Sequence, residues 1–228
     1  MYGYMSWTSI ILSLLAFFIT MIAQLYVMSS YKKYKTIKTK KGLTGFEVAR
    51  MILDKNGLKD VHVVETKGNL TDHYDPTRKV IKLSTEIFNG TTIASNAVAA
   101  HEVGHAIQDK EGYGFMKIRS LIVPVVNFCS KIGYIVVVIG FIFSMLDLVY
   151  VGIGLLVAML VFQLITLPVE FNASNKAKEN LDSLKILDES ESLGCKSMLN
   201  AAASTYVASL ASTLLELLRL FLMARDRN

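Results

Sequence analysis

Residues 148–169 read LVYVGIGLLVAMLVFQLITLPV and are followed directly by Glu170. No charged side chain interrupts this run. As a helix it would rise about 30 Å, the thickness of a bilayer's hydrocarbon core. Soluble domains do not ordinarily supply apolar runs of this length, so the stretch points to a membrane-spanning helix. Reading backward, the sequence from Leu121 to Leu167 is strongly apolar and is interrupted by Lys131 and Asp147. Two spans with a tight turn near Asp147 make a helical hairpin, with Lys131 snorkelling toward the face from which the hairpin starts.

The same pattern recurs at both ends of the chain. The first charged side chain is Lys32, so residues 1–31 carry none. Tyr4 to Met28 fits an uncleaved anchor better than a signal peptide. No basic residue precedes the run, the run is too long, and no small-x-small cleavage site follows. Lys32, Lys33, Lys35, Lys38, Lys40 and Lys41 come directly after it. Lysines flank spans on the cytoplasmic side, where anionic lipid also attracts them. The N-terminus is therefore expected outside and the chain after Lys32 inside. At the other end, Leu199 to Met223 is apolar but holds Glu216 and Arg219. A fourth span, a half-inserted helix and an amphipathic helix packed on the catalytic part all fit it.

The 228 residues are 52% apolar, with a mean hydropathy of +0.41 and a net charge of +5. Two cysteines exclude a disulfide scaffold, and three prolines with 14 glycines exclude a collagen-like chain. Cys129 and Cys195 have no partner at metal-ligand spacing. A nucleic-acid partner would require basic residues mixed with stacking aromatics on one surface. The lysines instead follow a span, so no nucleic acid is expected. The N-x-[ST] triplets at Asn69, Asn89 and Asn172 would go unused on the cytoplasmic side.

Residues 42–115 are expected to form a water-facing α+β unit. Gly45 to Asn56 has helical periodicity (Phe46, Ala49, Ile52, Leu53) and stops at Gly57. Val61 to Glu65 is short and β-branched, as a strand is. Leu70 to Tyr74 and Lys79 to Ser84 flank the turn-forming Asp75-Pro76-Thr77-Arg78 and predict a hairpin. Thr91 to Gln108 predicts a buried, alanine-rich helix capped by Thr91 or Thr92. Lys79 to Ser84 also has the turn, β-branched pair and lysines of a sheet edge. Val80, Ile81, Lys82 and Leu83 are thus candidates for binding an extended peptide by strand addition. An ordinary hairpin strand with a covered edge fits equally well.

The chemistry is concentrated in His101-Glu102-Val103-Gly104-His105. On a helix, residues i and i+4 share one face a turn apart, so both imidazoles can reach one metal ion. Zinc accepts neutral imidazole nitrogen, and its catalytic sites keep one position for water. Glu102 would project beside the metal and take that water's proton, then deliver it to the leaving amine. A chain of this length shows H-E-x-x-H by chance with a probability on the order of one in a hundred. Two of the four histidines fall in the pentad, on an apolar helix where unligated polar groups would be costly. Gly104 costs roughly 1 kcal/mol against alanine within a helix, which suggests a close backbone approach or another packing demand.

A zinc hydrolase usually requires a third protein ligand. Glu170 stands where the chain leaves the hairpin, on the same side as the pentad. By position alone it is equally an interfacial glutamate without function, and Glu179 and Asp182 are further acidic choices on the same helix. His73 and His62 read as structural residues of hairpin and strand. Tyr206 is a candidate donor to the oxyanion of the tetrahedral intermediate, although a buried interfacial tyrosine is the simpler reading. The ten methionines read as packing residues.

The stretches Leu70–Pro76 (LTDHYDP), Val98–Gln108 (VAAHEVGHAIQ), Glu170–Ser174 (EFNAS) and Ala201–Val207 (AAASTYV), spread over nearly the whole chain, resemble the bacterial membrane zinc metallopeptidases of the YugP type. More distantly the chain is similar to the HtpX and CAAX-prenyl endopeptidase group. That group shares HExxH, inserted transmembrane helices and a third-ligand motif E-x-x-A-D-x-x-A. Here Glu170, Ala173 and Ala177 keep that register, while Ser174 replaces the aspartate. The resemblance implies Glu170 as the third zinc ligand beside His101 and His105.

The expected protein is a mainly α membrane protein with transmembrane helices plus a small α+β cytoplasmic zincin-like catalytic unit. Residues 1–30 would be the anchor, 31–120 the α+β unit, 121–168 the hairpin, 169–198 the third-ligand region and 199–228 the C-terminal apolar helix. The expected activity is zinc-dependent endopeptidase action on peptides or membrane proteins by a multi-pass protein of the cell membrane, with the bilayer and a membrane protein as partners. The rival reading is a membrane scaffold retaining a structural or vestigial metal. A metal transporter would want ionisable residues within its spans, and residues 132–146 and 148–169 carry none.

Overall fold

The computed structural model describes residues 7–69 and 71–226. The first anchor residues, Tyr4 to Ser6, and Leu70, the expected start of a hairpin strand, lie outside the described residues. The chain opens with helix α1 (Trp7–Tyr34), whose last turn carries Lys32 and Lys33. Helix α2 (Gly45–Lys55) begins with a reciprocal cap: Glu47 N–H donates to the Thr44 hydroxyl at 3.2 Å, and Thr44 N–H donates to the Glu47 carboxylate at 2.8 Å. It buries Val48, Ala49, Ile52 and Leu53 and ends before Gly57, whose φ of 65° suits glycine.

Three short strands follow: β1 (His62–Thr66), β2 (His73–Asp75) and β3 (Val80–Ser84). The expected hairpin is present. β2 runs antiparallel to β3 with Tyr74 opposite Ile81, and the Asp75 carboxylate accepts N–H bonds from Thr77 and Arg78 at 3.0 and 3.1 Å. The sheet order is β1-β3-β2, with β1 parallel to β3. This corrects the edge-strand expectation for Val80, Ile81, Lys82 and Leu83, which form the central strand. Val80, Ile81 and Leu83 are buried. A strand covered on both faces replaces strict alternation with an apolar run, which is why its alternation is imperfect.

A short helix that the sequence reading did not anticipate, α3 (Thr85–Asn89), leads to α4 (Ile93–Lys110). Thr92 is the cap, accepting Ser95 N–H at 3.2 Å. α5 (Gly114–Ile142) and α6 (Leu146–Ser183) are the two long helices on either side of a turn just before Asp147, and α7 (Glu189–Arg225) completes the fold. α1, α5, α6 and α7 are each long and apolar enough to cross a membrane. The continuous α7 therefore fits the fourth-span reading.

The chain divides into two compact units. One comprises Met1–Gln24, Ile118–Leu167 and Thr205–Asn228 and is helical. A small core of Val137, Leu156, Leu217 and Leu220 holds it, while Leu121, Val125, Phe128 and Leu164 are exposed. Apolar side chains turned outward over whole helices require an apolar solvent. α5 and α6 approach closely: a Cβ on Gly152 would lie 2.8 Å from Val137 N. Glu216 and Arg219, the charges within the apolar stretch of α7, satisfy each other, as charges within spans do, with Arg219 Nε donating to Glu216 at 2.8 Å.

The other unit comprises Leu25–Lys117 and Pro168–Ser204. Its core joins Ile52 and Leu53 of α2, Ile81 and Leu83 of β3, Val103 of α4, and Leu181 of α6. α4 is buried on most sides, as its composition predicts. This packing brings the HExxH pentad of α4 against the polar extension of α6.

Candidate metal centre

His101 and His105 lie one turn apart on α4, and their ring centroids are 4.8 Å apart. Glu170 comes from α6 and is only 3% exposed. Its Oε2 lies 3.3 Å from His101 Nε2 and 3.6 Å from His105 Nε2. The three donor atoms lie within 4.8 Å of one another. Both contacts exceed the usual N–H···O length of about 2.9–3.0 Å. They match the separation of about 3.4 Å between two donors that each bind zinc tetrahedrally at roughly 2.05 Å. Two imidazoles and one carboxylate, converging on one point, fit the ligand set of a zinc site that keeps a fourth position for water.

The far sides of both rings support the same fit. Gln108 donates both amide protons, to Val169 O at 2.8 Å and to Asn172 Oδ1 at 2.9 Å. Its carbonyl oxygen therefore faces His105 Nδ1, 3.0 Å away. A carbonyl can only accept, so Nδ1 of His105 carries a proton and, in the neutral ring, Nε2 presents its lone pair toward Glu170. A lone pair facing a buried carboxylate is repulsive unless a metal ion lies between them or the ring takes up a second proton. His101 Nδ1 lies 3.2 Å from the Ser174 hydroxyl, which can accept its proton and leave Nε2 free in the same way.

Burial of His105 alone would lower its pKa, but the Glu170 and Glu102 carboxylates outweigh it and raise the pKa above the ordinary value. Glu102 is 8% exposed.

Gly104 permits the approach of the two helices. A Cβ there would lie 2.4 Å from Ala173 O and 3.0 Å from its carbonyl carbon, both backbone atoms of α6. The close backbone contact suggested by a glycine inside the pentad is present. Ala173 and Ala177 are both buried, which explains why small residues recur in that register.

Gln108, Asn172 and Ser174 were not among the residues singled out for the site. The available signal for Gln108 was a polar residue three positions after His105 on an otherwise apolar helix. Ser174 replaces an aspartate of the distant group, yet its hydroxyl lies 3.2 Å from His101 Nδ1. His73 is exposed with Nδ1 2.8 Å from Thr71 O, and His62 is exposed in β1. Tyr206 belongs to the helical unit and is 38% exposed, whereas His101, Glu102, His105 and Glu170 all belong to the other unit.

A His-His-Glu cluster, with His105 and Glu170 buried, in a chain with four bilayer-length helices is the arrangement expected of a membrane zinc peptidase. Residues 9–225 match the family described as "Putative neutral zinc metallopeptidase", and the chain belongs to that family. It is 46% identical over 222 residues to a Bacillus subtilis (strain 168) protein named "Putative membrane protease YugP", covering 96% of this chain and 99% of that one. No solved structure matches it.

Proposed function

We propose that the protein is a multi-pass membrane endopeptidase in which His101, His105 and Glu170 hold zinc and Glu102 is the general base. The observation that carries this reading is the convergence of both Nε2 atoms on Glu170 Oε2 at 3.3 and 3.6 Å, with Gln108 fixing the metal-binding tautomer of His105. Bound there, zinc would lower the pKa of a water molecule to about 7 and polarise the scissile carbonyl. Glu102 follows His101 on α4 and is buried, so its carboxylate takes the proton of the attacking water. It then delivers that proton to the leaving amine nitrogen. Gln108 and Ser174 hold the imidazoles in position throughout. An extended peptide would lie along β2, which pairs with β3 on one side only.

The discriminating experiment is chelator-sensitive cleavage of a model peptide by purified protein, with zinc content measured on the same samples. Glu102→Gln should keep its zinc and lose about 100- to 10,000-fold in rate, the usual contribution of a general base. His101→Ala and His105→Ala should lose zinc. Glu102→Gln losing zinc as readily as the histidine variants would refute the assignment of roles. A scaffold with a vestigial metal would be unaffected by Glu102→Gln.

The lysines that follow α1 support a cytoplasmic site. Cysteines introduced at Lys40 and Asp147 of intact cells test this. Asp147→Cys should react with a membrane-impermeant thiol reagent and Lys40→Cys should not; the opposite pattern would place the enzyme outside.

A further inference from the structure

Six lysines follow the first apolar run, and the structure sorts them. Lys35 pairs with Glu86 at 3.0 Å and Lys40 with Asp188 at 2.5 Å. Lys33 and Lys38 have no carboxylate partner among the described residues, and both line a cleft of about 430 Å³. Small-molecule sites span about 300–1,000 Å³, so this one is larger than a bare inorganic anion needs.

The wall of the cleft is built rather than loose. Tyr34 is buried and lines it, and Gly194 of α7 packs so closely that an added Cβ would lie 2.8 Å from the tyrosine ring. The Lys33 ammonium stands 5.1 Å from the centroid of the same ring. The segment that carries Lys38 is tied down by its backbone. Ile93 N–H donates to Ile37 O at 2.9 Å, Thr39 N–H donates to Thr91 O at 2.9 Å, and Lys38 bridges to Thr92. Its lysines are therefore placed in advance, unlike those of a mobile polybasic tail.

The charge at the cleft is uneven. Glu191, the acidic residue that lines it, is 6% exposed and accepts N–H bonds from Lys40 at 2.6 Å and Asp188 at 2.8 Å. The pair of Lys40 and Asp188 is neutral as a whole. The Glu191 carboxylate offsets part of the remaining charge, so Lys33 and Lys38, neither of them ion-paired among the described residues, leave the cleft net positive. Beside them Ile37 and Leu193 are 39% and 64% exposed. Lys33 is in the last turn of α1, directly after the charge-free run, which is where lipid headgroups lie if α1 spans. Two unpaired ammonium groups beside exposed aliphatic side chains suit an amphiphile with an anionic head.

We propose that this cleft binds the phosphate of an anionic phospholipid headgroup, with Lys33 and Lys38 on the phosphate oxygens and Ile37 and Leu193 against the glycerol and first acyl carbons. The site is separate from the metal ligands and does not depend on the peptidase reading.

Native mass spectrometry of the full-length protein in detergent tests it, with phosphatidylglycerol or phosphatidylcholine of matched acyl chains added. The wild type should retain one phosphatidylglycerol in preference to phosphatidylcholine. Each lysine supplies a charge-assisted hydrogen bond, so Lys33→Gln and Lys38→Gln should each weaken retention about tenfold or more. The double variant Lys32→Gln/Lys41→Gln removes the same two charges from the same segment, outside the cleft, and should retain lipid as the wild type does. Lys33→Arg/Lys38→Arg should also retain it. Equal loss in Lys32→Gln/Lys41→Gln and in the double variant Lys33→Gln/Lys38→Gln would overturn the proposal in favour of unlocalised attraction. Equal retention of both lipids would overturn it as well. Full displacement of phosphatidylglycerol by inorganic phosphate at equal concentration would show a free-anion site instead.

Discussion

Gly104→Ala sets two effects of opposite sign against each other. In an ordinary helix interior the change stabilises by about 1 kcal/mol. Here the new Cβ would meet Ala173 O at 2.4 Å, its carbonyl carbon at 3.0 Å and its Cα at 3.1 Å. All three are backbone atoms and cannot rotate away. Ordinary contact begins near 3.4 Å, so α4 and α6 must part by about 1 Å. Overpacking of this kind costs about 1–3 kcal/mol, which cancels the propensity gain or exceeds it modestly. Stability is therefore a poor reporter, and the metal site is a sensitive one. Glu170 lies on α6 one turn before Ala173, so its carboxylate would move with the helix and open contacts that stand at 3.3 and 3.6 Å. We expect zinc affinity to fall about 10- to 100-fold, the scale of a disturbed ligand environment, and peptide cleavage to fall about 100-fold. Chelator competition on the purified protein measures the first, and thermal unfolding with and without zinc monitors the fold. Gly114→Ala is the control, because nothing lies within 4 Å of its Cβ. Wild-type zinc affinity in Gly104→Ala would refute the claim that this contact sets the position of Glu170.

Two further outcomes follow from the geometry. Gln108→Leu keeps the volume but removes the acceptor for His105 Nδ1 and the donors to Val169 and Asn172; zinc affinity should fall about 10- to 100-fold, read by chelator competition, with the helical content of the protein unchanged by circular dichroism. Ile81→Pro removes a ladder hydrogen-bond donor from the middle of the central strand, where proline is not accommodated, so the protein should fail to fold or lose its zinc; a folded, zinc-loaded Ile81→Pro protein would mean that β3 has a free edge after all.

The helices and the pentad were legible because their signals are local. Charge-free runs, the Thr92 cap and the HExxH spacing each act within one element. The order of strands was not local. β1 reaches β3 by a parallel connection, and nothing in Val61 to Glu65 says which edge it joins. The hairpin with its Asp75 turn could be read, but whether its second strand had an open or a covered edge could not. The ligand set shows the same division. The two histidines follow from their spacing. Glu170 gained weight only from a family resemblance, because the sequence offers Glu179 and Asp182 on the same helix. Gln108 and Ser174 matter through contacts with residues on a different helix, and sequence periodicity carries no such information.

The Ser174 hydroxyl shows how a departure from a related motif can be consistent with the site it serves. With two neutral imidazoles, a doubly charged cation would be balanced by Glu170 and Glu102, both nearly buried. An aspartate at position 174 would add a third negative charge beside His101, where little water is available to solvate it. A hydroxyl accepts the Nδ1 proton and orients the ring without that charge. The amide of Gln108 does the same for His105, again as a neutral acceptor. On the proposed assignment both histidines are braced by uncharged groups, and the two carboxylates would take separate tasks: Glu170 to bind the metal, Glu102 to move the proton. That division accords with Glu102 lying outside the group of side chains that could hold one ion. Its place on α4 turns it aside from the face shared by His101 and His105, while Glu170 reaches that face from α6 across the gap that Gly104 leaves open.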